Sequence, residues 1–262
     1  GNAANPQTLH VAVVNIEGCI AYTTLTIRVL PNPTPSTDAE DIELCDYDNP
    51  GDQIEVFDIT INEAYIINGE LGVSAAYYES LENATDEIDP IANPTTYSNI
   101  ELGQQTIYVR VTNDTTGCFT IVTFDIIVNP LPDIGDVPDV IACEINTDGF
   151  FDFDLETVTS ELLGAQDPAN FTVTYHETQE NADNGENALV SPYTNLTNPQ
   201  QLFVNITNNL TGCNITGVGF NIEVQEAAIA NGDGVPAELI ICDDPNTANA
   251  VSYTHLRAHE TR

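Results

Sequence analysis

From Ile107 to Val111 apolar and polar residues alternate strictly, with Ile107, Val109 and Val111 on one side and Tyr108 and Arg110 on the other. A two-residue period places one face of an extended strand in a core and the other outward. The run ends in Asp114-Thr115-Thr116-Gly117-Cys118, and a second alternating run follows, closing with Phe124, Ile126 and Val128. Gly117 can take the positive φ that a tight turn demands, so the pattern predicts a β-hairpin. Upstream, Val73 to Glu79 predicts another strand, followed by the polar stretch SLENATDEIDP. Phe171 to Glu177 and TQENADNGENAL repeat that arrangement. Between the first cysteine of a repeat and this strand, Leu155, Val158 and Leu162 follow helical spacing and Gly164 is placed to cap, predicting one short helix.

The hairpin pattern recurs three times, as QTLHVAVVNIEGC ending at Cys19, TIYVRVTNDTTGC ending at Cys118 and QLFVNITNNLTGC ending at Cys213. A second landmark recurs around Cys45, Cys143 and Cys242, with spacings of 98 and 99 residues. The expected fold is all-β, a series of tandem immunoglobulin-like antiparallel β-sandwich repeats. The expected divisions are the closing part of a truncated repeat (1–31), complete repeats over 38–132 and 133–226, and the start of another over 236–250. Proline-containing joints at 30–37, 129–139 and 225–237 predict a semi-rigid rod.

Six cysteines are distributed over these repeats. One intradomain bridge per repeat, Cys45–Cys118 and Cys143–Cys213, suits the equal placing of each pair, leaving Cys19 and Cys242 to partners outside the chain. Disulfides at this density imply an extracytoplasmic compartment. Reduced or metal-bound thiols are the alternative, although no C-x-x-C pair is present.

Charge narrows the choice of partners. There are 41 acidic residues against 4 basic ones, a formal charge of −37. Such a field repels nucleic acid and anionic membrane. It favours high salt or bound divalent cations, while 42% hydrophobic residues and clear strand periodicity argue against disorder. No apolar run approaches the roughly 20 residues that span a bilayer. The last segment, Val251 to Arg262, resembles translated read-through of a sequencing adapter and is set aside from the fold.

The motif series is Cys45-Asp46-Tyr47-Asp48, Phe57-Asp58-Ile59, Tyr77-Tyr78-Glu79, Tyr97-Ser98-Asn99, Ile107 to Asn113, Thr116-Gly117-Cys118 and Asn129 to Pro132. Together these resemble the tandem extracellular repeats of very large surface proteins from Bacteroidetes-type gliding bacteria, which end in a sorting domain read by type IX secretion. The resemblance covers residues 1–250 and implies export to the outer cell surface and a role as stalk, adhesin or matrix component.

Candidate chemistry is sparse. His10 and His176 stand where sister repeats carry aromatics, which suits a shape-filling role, and no nucleophile–base or phosphate-loop motif is present. No catalytic residue and no organic cofactor are expected. Calcium is the candidate ion, with oxygen ligands at alternate positions in Asp46, Asp48 and Asp52, and in Glu144, Asn146, Asp148 and Asp152. The same residues suit a solvated Asx-rich turn. Tyr108 and Phe203 could form a stacking platform for a sugar, or simply pack across strands. The expected function is therefore a non-catalytic stalk or adhesin whose partners are neighbouring repeats and extracellular glycans or surface proteins. The alternative is a glycan-binding module, with or without calcium.

Overall fold

The structure is a computed structural model and describes residues 5–135, 137, 139–144 and 148–227. The expected segments 236–250 and 251–262, with Cys242, and the candidate Asn146 lie outside the described residues. The chain is all-β and repetitive. It opens with a hairpin, β1 (Gln7–Val14) against β2 (Ile20–Ile27), paired antiparallel with Leu9 opposite Leu25. Leu9, Val13, Leu25 and Ile27 of this hairpin are all exposed.

The first full repeat holds β3 (Ile42–Cys45), β4 (Val56–Phe57), helix α1 (Glu63–Ile67), β5 (Val73–Tyr78), helix α2 (Leu81–Asp86), β6 (Tyr97–Ser98), β7 (Gln104–Asn113) and β8 (Phe119–Asn129). The second has the same order: β9 (Val140–Glu144), β10 (Asp152–Phe153), α3 (Glu156–Leu163), β11 (Phe171–His176), α4 (Gln179–Asn184), β12 (Tyr193–Thr194), β13 (Gln200–Asn208) and β14 (Asn214–Glu226). Each repeat has a four-stranded sheet, β3-β8-β7-β5 or β9-β14-β13-β11, and a two-stranded sheet, β4-β6 or β10-β12.

The alternation read from the sequence sets the layers. Ile107, Val109, Val111, Phe124, Ile126 and Val128 are buried inward, against Phe57, Ile59, Ile66 and Tyr97. Leu202, Val204, Ile206, Phe220, Ile222 and Val224 do the same in the second repeat, against Phe153, Val158 and Leu162. Burying one such aliphatic side chain stabilises by roughly 1.5–3 kcal/mol. The predicted helix is α3, ending at Gly164 with a φ of 54° and burying Val158, Leu162 and Leu163.

One pairing departs from the antiparallel expectation. β3 lies parallel to the last strand, with Ile42 opposite Ile126 and Cys45 opposite Asn129. β9 lies parallel to β14 in the same way, with Cys143 opposite Gln225. Hydrophobic alternation has the same period in both pairing modes, so the sequence does not distinguish them.

A second departure is the pair of helices formed by the polar stretches. Ser80 Oγ accepts from the Asn83 amide and Thr178 Oγ1 from that of Asn181, so each helix is capped at its start. Each buries a single alanine, Ala84 or Ala182, against the outer face of the sheet. At the helix ends the two repeats solve one problem with different residues. Arg110 Nη1 donates to the carbonyls of Ala84 (2.8 Å) and Thr85 (3.0 Å), with the guanidinium 3.5 Å from the Phe119 ring centroid. In the second repeat Asn205 Nδ2 donates to the Ala182 carbonyl at 2.8 Å.

Arg110→Ala leaves the Ala84 and Thr85 carbonyls without their charged donor, the first in a buried site and the second in a partly buried one, and one buried hydrogen bond from a charged group is worth about 1.5–3 kcal/mol. Urea unfolding of the first repeat is expected to show a loss of about 2–3 kcal/mol, with Arg110→Lys recovering only part of it. A second expectation concerns alkaline pH. Burial, the largest cause, pushes the Tyr97 and Tyr175 hydroxyls up to about 12. The folded state therefore holds these protons more tightly than the unfolded chain, whose tyrosines titrate near ~10. The stability they contribute is intact below about pH 10 and falls as pH climbs from there toward 12. Urea midpoints measured across that interval, with Tyr97→Phe as the comparison, are expected to show the fall and its reduction in the variant.

Candidate functional site

Among the described residues the covalent link lies where the two full repeats meet. β3 ends at Cys45, and the turn between β13 and β14 ends at Cys213. Their sulfurs are bonded at 2.05 Å, with the Cα atoms 5.6 Å apart and the residues 168 apart in sequence. The bond thus joins the opening strand of one repeat to the closing hairpin of the next. Cys213 is fully buried, and its sulfur lies 4.0 Å from the Asn129 carbonyl at the end of β8. Beside it, the Tyr47 hydroxyl donates to Asn214 Oδ1 at 2.6 Å and accepts from the Asn214 amide at 3.3 Å.

The expected pairs Cys45–Cys118 and Cys143–Cys213 are corrected by this geometry. Cys45 stands opposite Asn129, at the end of β8, whereas Cys118 immediately precedes the start of that strand. At about 3.3 Å per residue the two ends of β8 are roughly 35 Å apart, far beyond the ~7 Å Cα limit for a disulfide. Cys143 stands opposite Gln225, near the end of β14, and Cys213 immediately precedes its start, so that pair is excluded by the same measure. Cys19, Cys118 and Cys143 are free, with Cys19 and Cys143 exposed and Cys118 half-buried.

The candidate calcium ligands are placed one by one. Asp46 is buried, and its Oδ2 accepts from the amides of Gly51 (2.7 Å) and Gln53 (3.3 Å). Gly51, at φ 100°, and Gly149, at φ 79°, turn the chain back toward these carboxylates. Asp48 lends only its amide, to Glu55 Oε1 at 3.0 Å. Asp52 accepts from Asn49 Nδ2 and from the Ile54 amide. In the second repeat, Glu144 Oε1 accepts from the Gly149 amide at 2.5 Å, Asp148 Oδ1 accepts from the Phe150 amide, and Asp152 accepts from the Thr194 hydroxyl. Among the described residues no three acidic, histidine or cysteine side chains gather where they could share a metal ion. Their main work is to fold the loop after the first cysteine. Two carboxylate oxygens, Asp46 Oδ1 and Glu144 Oε2, are buried without a hydrogen-bond partner, at equivalent positions of the two repeats.

The partners that hold this loop were invisible as such in the sequence. Asn99 Oδ1 accepts from the Glu55 amide, while its Nδ2 donates to the carbonyls of Gln53 and Glu101. Asn195 makes the matching set with Phe151, Gly149 and Thr197. The recurrence of Asn99 two residues after Tyr97, and of Asn195 after Tyr193, was the only available signal. Glu55 and Tyr47 have no counterpart in the second repeat that would have marked them.

The remaining candidates are embedded in the fold. His176 is buried, with Nδ1 at 2.7 Å from the Glu186 carbonyl and Nε2 at 2.9 Å from Thr174 Oγ1, while His10 is exposed on β1. Tyr108 and Phe203 are half-buried, and each sits between two cross-strand partners: Tyr78 and Thr123 for the first, His176 and Gly219 for the second. A Cβ on Gly219 would stand 3.1 Å from both the Leu202 carbonyl and Gln201 Nε2, so the glycine lets the two strands approach closely beside Phe203.

A bond between repeats, rather than within them, is the mark of one domain family. The model of the Flavobacterium inter-domain disulphide bond domain matches residues 41–132 and again 139–228. The chain belongs to this family. Tandem repeats of it form a structural module joining domains. No curated protein matches the chain. Among solved structures, two of an endo-fucoidan hydrolase from glycoside hydrolase family 107 align over 86% of this chain, at 10% and 8% identity and a TM-score of 0.19. The chain covers about a third of their length, 35% and 34%. A likeness that slight says nothing about activity. Among the described residues no helix is long and apolar enough to cross a membrane.

Removing the bond is expected to uncouple the two inter-domain disulphide repeats. In the chain-entropy model a loop of this size contributes on the order of 5 kcal/mol. Denaturant unfolding of Cys45→Ala should therefore begin at lower urea and separate into two transitions, where the oxidised parent unfolds later and more nearly as one.

Proposed function

We propose that the chain is a stalk segment of a secreted, cell-surface protein, with no catalytic role of its own. The observation that carries this reading is the Cys45–Cys213 bond, which adds a second covalent connection at a joint otherwise crossed only by the linker from Asn129 to Val140. A joint with two connections cannot swivel as freely as one with a single linker, which is what a spacer needs. The free cysteines fit the same scheme. Cys118 stands where Cys213 stands in its repeat, and Cys143 where Cys45 stands, so each is placed to bond an adjoining repeat of a longer protein. Disulfides in every joint require an oxidising exterior, and the gliding-bacterium repeats that this sequence resembles supply the matching expectation of export by type IX secretion to the outer surface.

A second reading is a glycan-binding module assisted by calcium, and the unpartnered oxygens of Asp46 and Glu144 support its calcium component. A buried carboxylate oxygen left without a partner is costly, and a cation or a water would relieve it. No three acidic, histidine or cysteine side chains converge there among the described residues, so a calcium ion would draw on main-chain carbonyls and water beside these carboxylates.

Small-angle scattering of the chain before and after reduction tests the stalk. The expected result is a narrow distribution of shapes when oxidised and a broader one when reduced; identical profiles would contradict a stiffening joint. Glycan arrays probed with and without calcium address the second reading, for which calcium-dependent retention is the required result.

A further inference from the structure

Tension in a tandem array runs through the shortest covalent line available, and the position of this disulfide creates a short one. Load entering the first repeat passes along β3 to Cys45, crosses to Cys213, and continues directly into β14, which begins at the next residue, Asn214. Both strands are already extended at about 3.3 Å per residue, close to the 3.3–3.6 Å maximum of a polypeptide. Pulling on them therefore releases almost no length. The rest of both repeats, the 168-residue interval closed by the bond, lies off the line.

We propose that the oxidised repeats form a tension-bearing tether in which load follows β3, the Cys45–Cys213 bond and β14, while the folded bodies carry none of it. This inference rests on the stalk reading above and adds to it the direction and path of force. The topology supplies a reserve when the bond is open. Load then enters each repeat by its first strand and leaves by its last, and these are parallel neighbours: β3 with β8 over Ile42–Cys45 and Ile126–Asn129, β9 with β14 over Val140–Glu144 and Ile222–Glu226. Drawing the first strand back and the last one forward slides the ladder along its length. Its hydrogen bonds must fail together, whereas an end-opened pair loses them one at a time. The same arrangement that sends the disulfide across the joint thus makes each repeat resist being pulled open.

Single-molecule stretching of the full chain held by its two ends tests this, with free thiols alkylated beforehand and the disulfide state checked by peptide mapping. The oxidised chain is expected to show no unfolding step attributable to the repeats. After reduction, abrupt steps totalling about 57 nm should appear, the length of the enclosed interval at roughly 3.4 Å per residue. Cys45→Ser should behave without reductant as the reduced chain does. Repeat-sized steps in a chain whose bond is mapped as intact would overturn the load path alone. Equal lengthening before and after reduction, with the bond absent from the map, would overturn both the load path and the stalk reading. Smooth lengthening of the reduced chain, without steps, would overturn the sliding reserve.

Discussion

The parallel pairing of first and last strands is the constraint on which the rest of this architecture depends. In an antiparallel pair the end of one strand meets the beginning of its neighbour, and a cysteine closing the first strand would lie beside one opening the last. In the parallel pair β3–β8 the two ends travel together, so Cys45 meets Asn129 and leaves Cys118 a full strand away. β9–β14 repeats the arrangement with Cys143 and Gln225. Neither repeat can bond its own two cysteines. Among the described residues the sulfur that reaches Cys45 is presented by the following repeat, whose β13–β14 turn abuts the joint. Topology, rather than spacing along the chain, selects the partner.

Within their own bodies the two repeats keep some solutions and vary others, and the contrast shows what each part is for. The loop after the first cysteine is held by Asn99 and by Asn195 through the same three main-chain contacts. Behind it, the hydroxyls of Tyr97 and Tyr193 each accept from a glutamine and donate to a glutamate: Gln105 and Glu79, then Gln200 and Glu177. These networks fix where the first strand ends and thus where its cysteine points. The outer helix is freer. It is capped from the sheet by a guanidinium in one repeat and by an amide in the other, because any buried donor that reaches the last carbonyls satisfies them. Tyr47 and Asn214 belong to neither group, being a contact of this particular joint.

Most of the fold was legible in the sequence, and the reasons are specific. Ile107, Val109 and Val111 alternate because one face of β7 is buried, and Gly164 follows Leu163 because α3 must stop there. The outer helices were not legible. SLENATDEIDP is mostly polar, and a helix that buries only Ala84 leaves no apolar stripe to read. Strand direction was not legible either, since alternation looks the same in parallel and antiparallel ladders, and that gap carried over into the cysteine pairing. The acidic residues illustrate a further limit. The spacing of Asp46 and Glu144 suits a cation ligand, and the structure gives one oxygen of each to the amides of Gly51 and Gly149. An oxygen-rich loop can be built to satisfy its own backbone.

Peptide mapping of the oxidised chain by mass spectrometry without reduction tests the central claim most directly. The account predicts one cross-linked species joining the peptide of Cys45 to that of Cys213, with Cys118 and Cys143 open to alkylation. A species joining Cys45 to Cys118, or Cys143 to Cys213, would place the bond within a repeat and contradict the parallel pairing from which everything else here follows.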